Sequence, residues 1–197
     1  MIAGLILAAG ESRRMGRDKA LLTYHGRTFL ESTIESLRAA GVEKITVVLG
    51  HHAETIRVAT NLAEVGVVVN ADYQRGQTSS LQCGLAAAAA DSPQAIVLCL
   101  VDHPATSAGT MAKLLDCFET THAPVVIPTY KGQRGHPVII SQKLFPDLLA
   151  LSPDTPANSV IRKYREGAQW VEVADPGILL DVDDPDTYER LEEGGKQ

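Results

Sequence analysis

The 197-residue chain is poor in several of the features that usually announce a function. It has only 3 cysteines, Cys83, Cys99 and Cys117, and none stands in a C-x-x-C pair. An odd, unpaired set excludes a disulfide framework and a cysteine-based zinc site. No stretch reaches the roughly 18 consecutive apolar residues that a bilayer-spanning helix requires. The first apolar run is short and has no charged region before it, unlike a secretory leader, so a cytoplasmic location is expected. There is no Gly/Ser or Pro-rich linker and no internal repeat. At this length, one domain spanning residues 1–197 is the expectation. Positive charge is also in deficit, 18 Lys and Arg against 24 Asp and Glu, for a net charge of -6. That balance disfavours nucleic-acid polymers and anionic membranes as partners, because binding them draws on extended basic patches. Missing as well are the G-x-S-x-G elbow of serine hydrolases, the H-E-x-x-H of zinc hydrolases and the G-x-G-x-x-G of dinucleotide folds.

Against this background one segment runs counter to the whole. Ile2 to Leu7 is an apolar run suited to a buried strand, and it ends in the small residues Ala8, Ala9 and Gly10. Small residues let a ligand lie against the backbone. Arg13, Arg14, Arg17 and Lys19 follow at once. Cations beside exposed backbone N–H groups make a polyanion site, and a triphosphate fits it. P-loop spacing is not met, since Lys19 is followed by Ala20 rather than Ser or Thr.

The remainder alternates strand and helix. Thr28-Phe-Leu-Glu31 has the form of a capping box, and Leu30, Ile34 and Leu37 recur at helical spacing up to Gly41. Strands are expected over Lys44–Leu49, Val67–Asn70 and Ala95–Val101, the last buried on both faces, with a helix over Ala53–Ala63 between the first two. Thr78, Ser79 or Ser80 is placed to cap a helix that runs on through Ala86–Ala90, read as a tightly packed tract. Met111, Leu114, Leu115 and Phe118 form a core stripe on a helix capped by Ser107. Pro124–Pro128 and Pro137–Ile140 read as a strand pair carrying the polar turn Thr129–His136 over a sheet edge, where Lys131, Arg134 and His136 are placed to meet a second substrate. Prolines 146, 153 and 156 divide the stretch to Tyr164 into two short helices. Trp170–Val173 reads as an edge strand. The alternation points to a mostly parallel sheet.

Two acidic positions stand out. Asp102 follows the most apolar strand, where open α/β sheets bind ligands, and is a metal-ligand candidate. In Ile178–Asp186, Asp181 and Asp183 share one face of an extended chain, and Asp184 is placed to cap a helix starting at Pro185. Two carboxylates on one face call for a cation.

With these motifs assembled, the sequence resembles the molybdenum-cofactor nucleotidyltransferases, and in particular the cytidylyltransferases among them. The resemblance rests on LAAGESRRMGRDK at residues 7–19, together with SSLQCGL, VDHP, GHPVII and LLDVDDPDTY, in order along nearly the whole chain. It implies a three-layer α/β/α, Rossmann-like fold of the nucleotide-diphospho-sugar-transferase type with a mostly parallel sheet. The implied activity is transfer of CMP from CTP to molybdenum-bearing molybdopterin with release of pyrophosphate; the alternatives are use of GTP or of another phosphorylated acceptor, and a non-catalytic protein that binds the cofactor and delivers it to a molybdenum hydroxylase. The implied nucleotide site comprises Leu7, Ala8, Ala9, Gly10, Ser12, Arg14, Lys19, Gly76 and Ser80, with Arg14, Lys19 and Asp102 in catalytic roles. Asp102 and Asp183 are the implied ligands of Mg²⁺, or of Mn²⁺, which shares its preference for oxygen. Asp181 is the alternative to Asp183. Arg134, Gly135 and His136 would contact the acceptor, and a molybdenum hydroxylase apoenzyme is an implied partner. Related guanylyltransferases tend to carry Gly where Ala9 stands, so Ala9 favours cytosine.

Overall fold

The computed structural model describes residues 1–194. In chain order its elements are β1 (Ile2–Ala8), β2 (Thr23–Tyr24), β3 (Arg27–Thr28), α1 (Phe29–Ala39), β4 (Ile45–Leu49), α2 (Ala53–Ala59), β5 (Gly66–Val69), α3 (Gln77–Ala88), β6 (Ala95–Leu100), α4 (Ala108–Thr121), β7 (Val125–Tyr130), β8 (Gln133–Arg134), β9 (Val138–Ser141), α5 (Phe145–Leu149), α6 (Asn158–Lys163), β10 (Gln169–Glu172) and α7 (Pro185–Gly194). The main sheet has the order β10-β7-β9-β6-β1-β4-β5, with β8 paired to β7. β5, β4, β1 and β6 run parallel, as do β7 and β10, while β9 is antiparallel to both its neighbours. This is the mostly parallel, three-layer α/β/α arrangement that the sequence led us to expect.

The two faces of the sheet are covered by separate apolar layers, and residue alternation assigns side chains to each. Ile6 of β1, Val97 and Cys99 of β6, and Val47 of β4 point to the layer holding Leu30, Ile34, Leu37, Met111, Leu114 and Phe118 of α1 and α4. Leu5, Leu7, Ile96, Leu98 and Val48 point to the opposite layer with Leu81, Leu85, Leu148 and Val160 of α3, α5 and α6. Burial on both faces explains why these strands read as continuous apolar runs. Each fully buried Leu or Ile contributes roughly 1.5–3 kcal/mol from removal from water. α3 lies close over β1 and β4 because Gly84 has no side chain; a Cβ there would sit 2.5 Å from Leu5 Cδ1 and 2.7 Å from Val48 Cγ2.

Local signals held where they carry their own hydrogen bonds. Thr28 and Glu31 form the full capping box of α1, Ser107 accepts from the Thr110 N–H at the start of α4, and Asp184 accepts from the Thr187 N–H. Phe145–Leu149, with Pro146 in its first turn, and Asn158–Lys163, after Pro156, are the two short helices.

Three expectations are corrected. No hydroxyl caps α3. Gly76 occupies its N-cap, Thr78 Oγ1 donates to the Thr155 carbonyl, and Ser79 Oγ donates to the carbonyls of Asp72 and Gly76. In the alanine tract only Ala88 is buried, because the chain leaves the sheet there and tightens into a 3-10 turn at Ala89–Asp91. α2 stops at Ala59 rather than continuing to Ala63. Ile56 is its sole buried residue, and Thr60 is extended and buried. β7 and β9 form the expected strand pair and lie inside the sheet. Ile139 and Ile140 are buried between β7 and β6, and β10 is the edge strand, as expected for Trp170–Val173.

Candidate active site

The carboxyl ends of β1 and β6 lie side by side, with Leu7 paired in register to Leu100. The segments that follow them therefore open into one space. A cavity of about 230 Å³ there is lined by Leu7, Ala8, Ala9, Gly10, Ser12, Lys19, Gly76, Ser80 and Asp102, nine of the expected positions, together with Asp18, Tyr73 and Gln77 among others. Four sequence segments thus meet at one sheet edge. The loop is held in shape by its own bonds: Ser12 Oγ accepts from the Lys19 N–H at 3.2 Å, and the Gly16 N–H donates to the Ser12 carbonyl at 2.9 Å. Asn70 Nδ2 reaches Ser80 Oγ at 3.1 Å on the far wall.

Lys19 is the centre of the electrostatics. Although only 9 % exposed, its ammonium bridges Asp102 Oδ2, at 3.0 Å, and Asp183 Oδ1. Burial opposes its charge, but the two carboxylates more than offset that and hold its pKa above the usual lysine value. It is an ammonium throughout the physiological range. Asp183 is held below the ordinary carboxylate range, chiefly by its hydrogen bond from Lys19 and then by Arg14. Of the four cations in the loop, only Lys19 and Arg14 face these acids. Arg13 pairs with Glu11, and Arg17 lies 5.6 Å over the Tyr188 ring.

Donor atoms of Asp102, His103 and Asp181 lie within 4.8 Å of one another. Asp102 Oδ1 and His103 Nδ1 are buried without a hydrogen-bond partner. Burial, with Asp102 and Asp183 nearby, raises the Asp181 pKa, and burial lowers that of His103. Orphaned carboxylate oxygen, repelling acids and a neutral imidazole are the conditions a divalent cation relieves, so these residues fit a metal. Asp183 is engaged by Lys19 and Arg14, and the cluster with free donor atoms runs through Asp181. His103 escaped sequence reading, since a lone His after an Asp carries no spacing signal.

Arg134, Gly135 and His136 line a second cavity of about 350 Å³, largely apolar, with Leu81, Leu98 and Ile127 among its walls. Gln77 borders both cavities. Gly135 packs against the backbone of Ile178, where a Cβ would come within 2.2 Å of the carbonyl oxygen, and the His136 N–H donates to that same carbonyl at 3.0 Å. Burial, with His103 adding to it, lowers the His136 pKa to about 4. His136 is therefore neutral at pH 7. Arg134 is exposed, its guanidinium 5.5 Å over the Trp170 ring, in an adjoining hollow with Arg162 and Arg165. These two arginines were missed because they sit on a broken helix far from any motif.

The family profile described as MobA-like NTP transferase domain matches residues 4–168. The chain belongs to this family. Among its relatives, the nicotine blue oxidoreductase of Paenarthrobacter nicotinovorans is 33% identical over 201 residues, covering 96% of each chain. A probable molybdenum cofactor guanylyltransferase of Opitutus terrae is 38% identical over 113 residues, 57% of this chain and 54% of that protein. Among solved structures, Rv0371c of Mycobacterium tuberculosis superposes with a TM-score of 0.85 at 33% identity, over 98% of this chain and 97% of that one. A manganese complex of Rv0371c superposes with a TM-score of 0.80 at 31% identity, over the same shares. No helix among the described residues is long and apolar enough to cross a membrane.

Proposed function

We propose that this member of the MobA-like NTP transferase family acts as one domain over residues 1–197 and transfers CMP from CTP to molybdenum-bearing molybdopterin, releasing pyrophosphate. The reading is carried by the meeting of the Ala8–Gly10 backbone, Lys19 and Asp102 in one cavity at the sheet edge. Triphosphate would lie along the loop, against the N–H groups and the cations Lys19 and Arg14, with Gly76 and Ser80 on the base side. Ala9, in place of Gly, favours cytosine. Arg134, Gly135 and His136 would form the acceptor side, with Arg134 as the charged contact and neutral His136 as a hydrogen-bonding one.

The acceptor phosphate is ionised near neutral pH, so its oxygen can attack the α-phosphorus without a general base. Alignment and charge then set the barrier. Asp102, with Asp181 and Asp183 beside it, would hold Mg²⁺ or Mn²⁺, and when bound such an ion supplies neutralisation of the triphosphate charge. Lys19 and Arg14 stabilise negative charge growing on the departing pyrophosphate, and because Lys19 is already in place little reorganisation is required. A recipient molybdenum hydroxylase would take up the product, consistent with a protein acting in the cytoplasm.

The relative from Paenarthrobacter nicotinovorans, similar over 96% of both chains, favours a second reading as an oxidoreductase. Both are tested by measuring pyrophosphate release from CTP, GTP, ATP and UTP with Mg²⁺ and molybdenum-bearing molybdopterin, alongside reduction of nicotine blue with a nicotinamide reductant. Release with CTP alone supports the proposal, and release with GTP keeps the chemistry but overturns the role of Ala9. Nicotine blue reduction without pyrophosphate release replaces it with the second reading.

A further inference from the structure

Beside the first cavity, which Asp18 helps to line, is a group of residues that nucleotidyl transfer leaves without a role. We propose that Asp18, His51 and His52 form a binding site for one divalent transition-metal ion of the zinc class, distinct from the carboxylate cluster at Asp102. One donor atom from each of the three lies within 4.8 Å of the others. They come from two separate segments, Asp18 from the end of the phosphate loop and the histidines from the turn between β4 and α2.

Two observations separate this group from an ordinary surface ion pair. The Asp18 carboxylate is only 17% exposed, and both its oxygens face a single partner, His52 Nδ1, at 3.2 and 3.1 Å. His51 stands against His52 with ring centroids 3.7 Å apart, although His51 makes no bond to Asp18 in this arrangement. Together with the Asp18 carboxylate, the two rings can present two nitrogens and an oxygen to a cation. Imidazole nitrogen suits zinc, nickel and iron, whereas magnesium selects oxygen; this cluster offers two imidazoles and one carboxylate, the Asp102 cluster one imidazole and two carboxylates, so the first leans further toward the zinc class.

The ligands are also held from behind. His51 Nδ1 lies 3.2 Å from the Tyr73 hydroxyl, which fixes the ring and leaves Nε2 for the metal. The His51 N–H donates to the Ala9 carbonyl at 3.1 Å, anchoring the turn to the loop. Asp18 also lines the 230 Å³ cavity assigned to the nucleotide. A bound ion would tie the phosphate loop to the turn after β4.

The test is direct titration of the purified full-length chain with Co²⁺ and Zn²⁺ in excess Mg²⁺, followed by calorimetry and by the visible absorption of Co²⁺. It does not depend on the proposed transferase activity. The expected result is one equivalent bound with a nitrogen-ligand spectrum, weakened at least about a hundredfold in Asp18→Asn, His51→Ala and His52→Ala, and about tenfold in Tyr73→Phe, the usual scale for a supporting group. The double variant Asp102→Asn/Asp181→Asn should retain that equivalent. His52 is half-exposed, so its variant will fold, and a melting curve checks the others. Binding that is lost only in the Asp102/Asp181 variant, unchanged in His51→Ala and His52→Ala, or absent below millimolar metal overturns the proposal.

Discussion

Lys19→Ala isolates the bridge between Asp102 and Asp183. In the wild type the ammonium stands 3.0 Å from Asp102 Oδ2 and also bonds Asp183, with the lysine side chain 10% exposed and the carboxylates 24% and 28%. Removing one partner of a fully buried pair costs about 3–5 kcal/mol. These carboxylates keep some solvent, so the cost is discounted to about 1–2 kcal/mol. Divalent cation should restore much of it by supplying the missing charge to the same acids. The pH dependence has a definite sign. The raised Lys19 pKa means its contribution is complete below the unfolded lysine value, about 10.4, and fades only as pH rises through the still higher folded value. Asp183, with a lowered pKa, contributes above the unfolded value of about 3.9 and loses that contribution as pH falls through the folded value. Lys19→Ala should therefore flatten the acid limb of the stability curve while leaving neutral-pH melting metal-sensitive. Turnover should fall by roughly a hundredfold or more, the usual loss of one preorganised electrostatic contact. The assays are pyrophosphate release and thermal melting with and without Mg²⁺. A variant that melts lower yet turns over within about threefold of wild type would show that Lys19 serves the fold and not the phosphates.

Asp102→Ala should abolish metal-dependent turnover with little change in melting, because Lys19 keeps Asp183 as a partner; retention of most turnover in the release assay would move the metal elsewhere. Ala9→Gly should shift nucleotide preference toward GTP by about tenfold or more, within the range one methyl group commands in a pocket, as read from competing kcat/KM values. His136, with a pKa near 4, stays neutral in the folded state while the unfolded chain protonates below about 6.5. Stability should thus fall as pH drops from about 6.5 to 4, by up to about 1.4 kcal/mol per unit, and His136→Asn should remove that slope in denaturant melts. Gly84→Val should destabilise by about 1–3 kcal/mol through overpacking against Leu5 and Val48, which a urea midpoint will report; an unchanged midpoint would mean that α3 can lift from the sheet.

Much of this architecture is written in short-range chemistry. Apolar runs such as Ala95–Leu100 announce buried strands because both their faces must avoid water, and the bonds of Thr28 with Glu31, of Ser107 and of Asp184 depend on residues only three positions away. The loop from Ala8 to Lys19 is legible for the same reason, since its small residues and cations lie together in sequence. What sequence could not decide is what depends on register and depth. Ser79 and Thr78 abandon the helix end because neighbouring carbonyls, including that of Thr155, happen to lie within reach. His136 loses its charge to burial that a polar turn does not foretell. Asp181 and Asp183, two residues apart, part company because one falls beside His103 and the other beside Lys19 and Arg14. Residue types alone supplied the chemistry available to this protein, and only the packing of β1 against β6 chose which groups would share a site, because charge and hydrogen bonding act over a few ångströms and those distances are set by the fold.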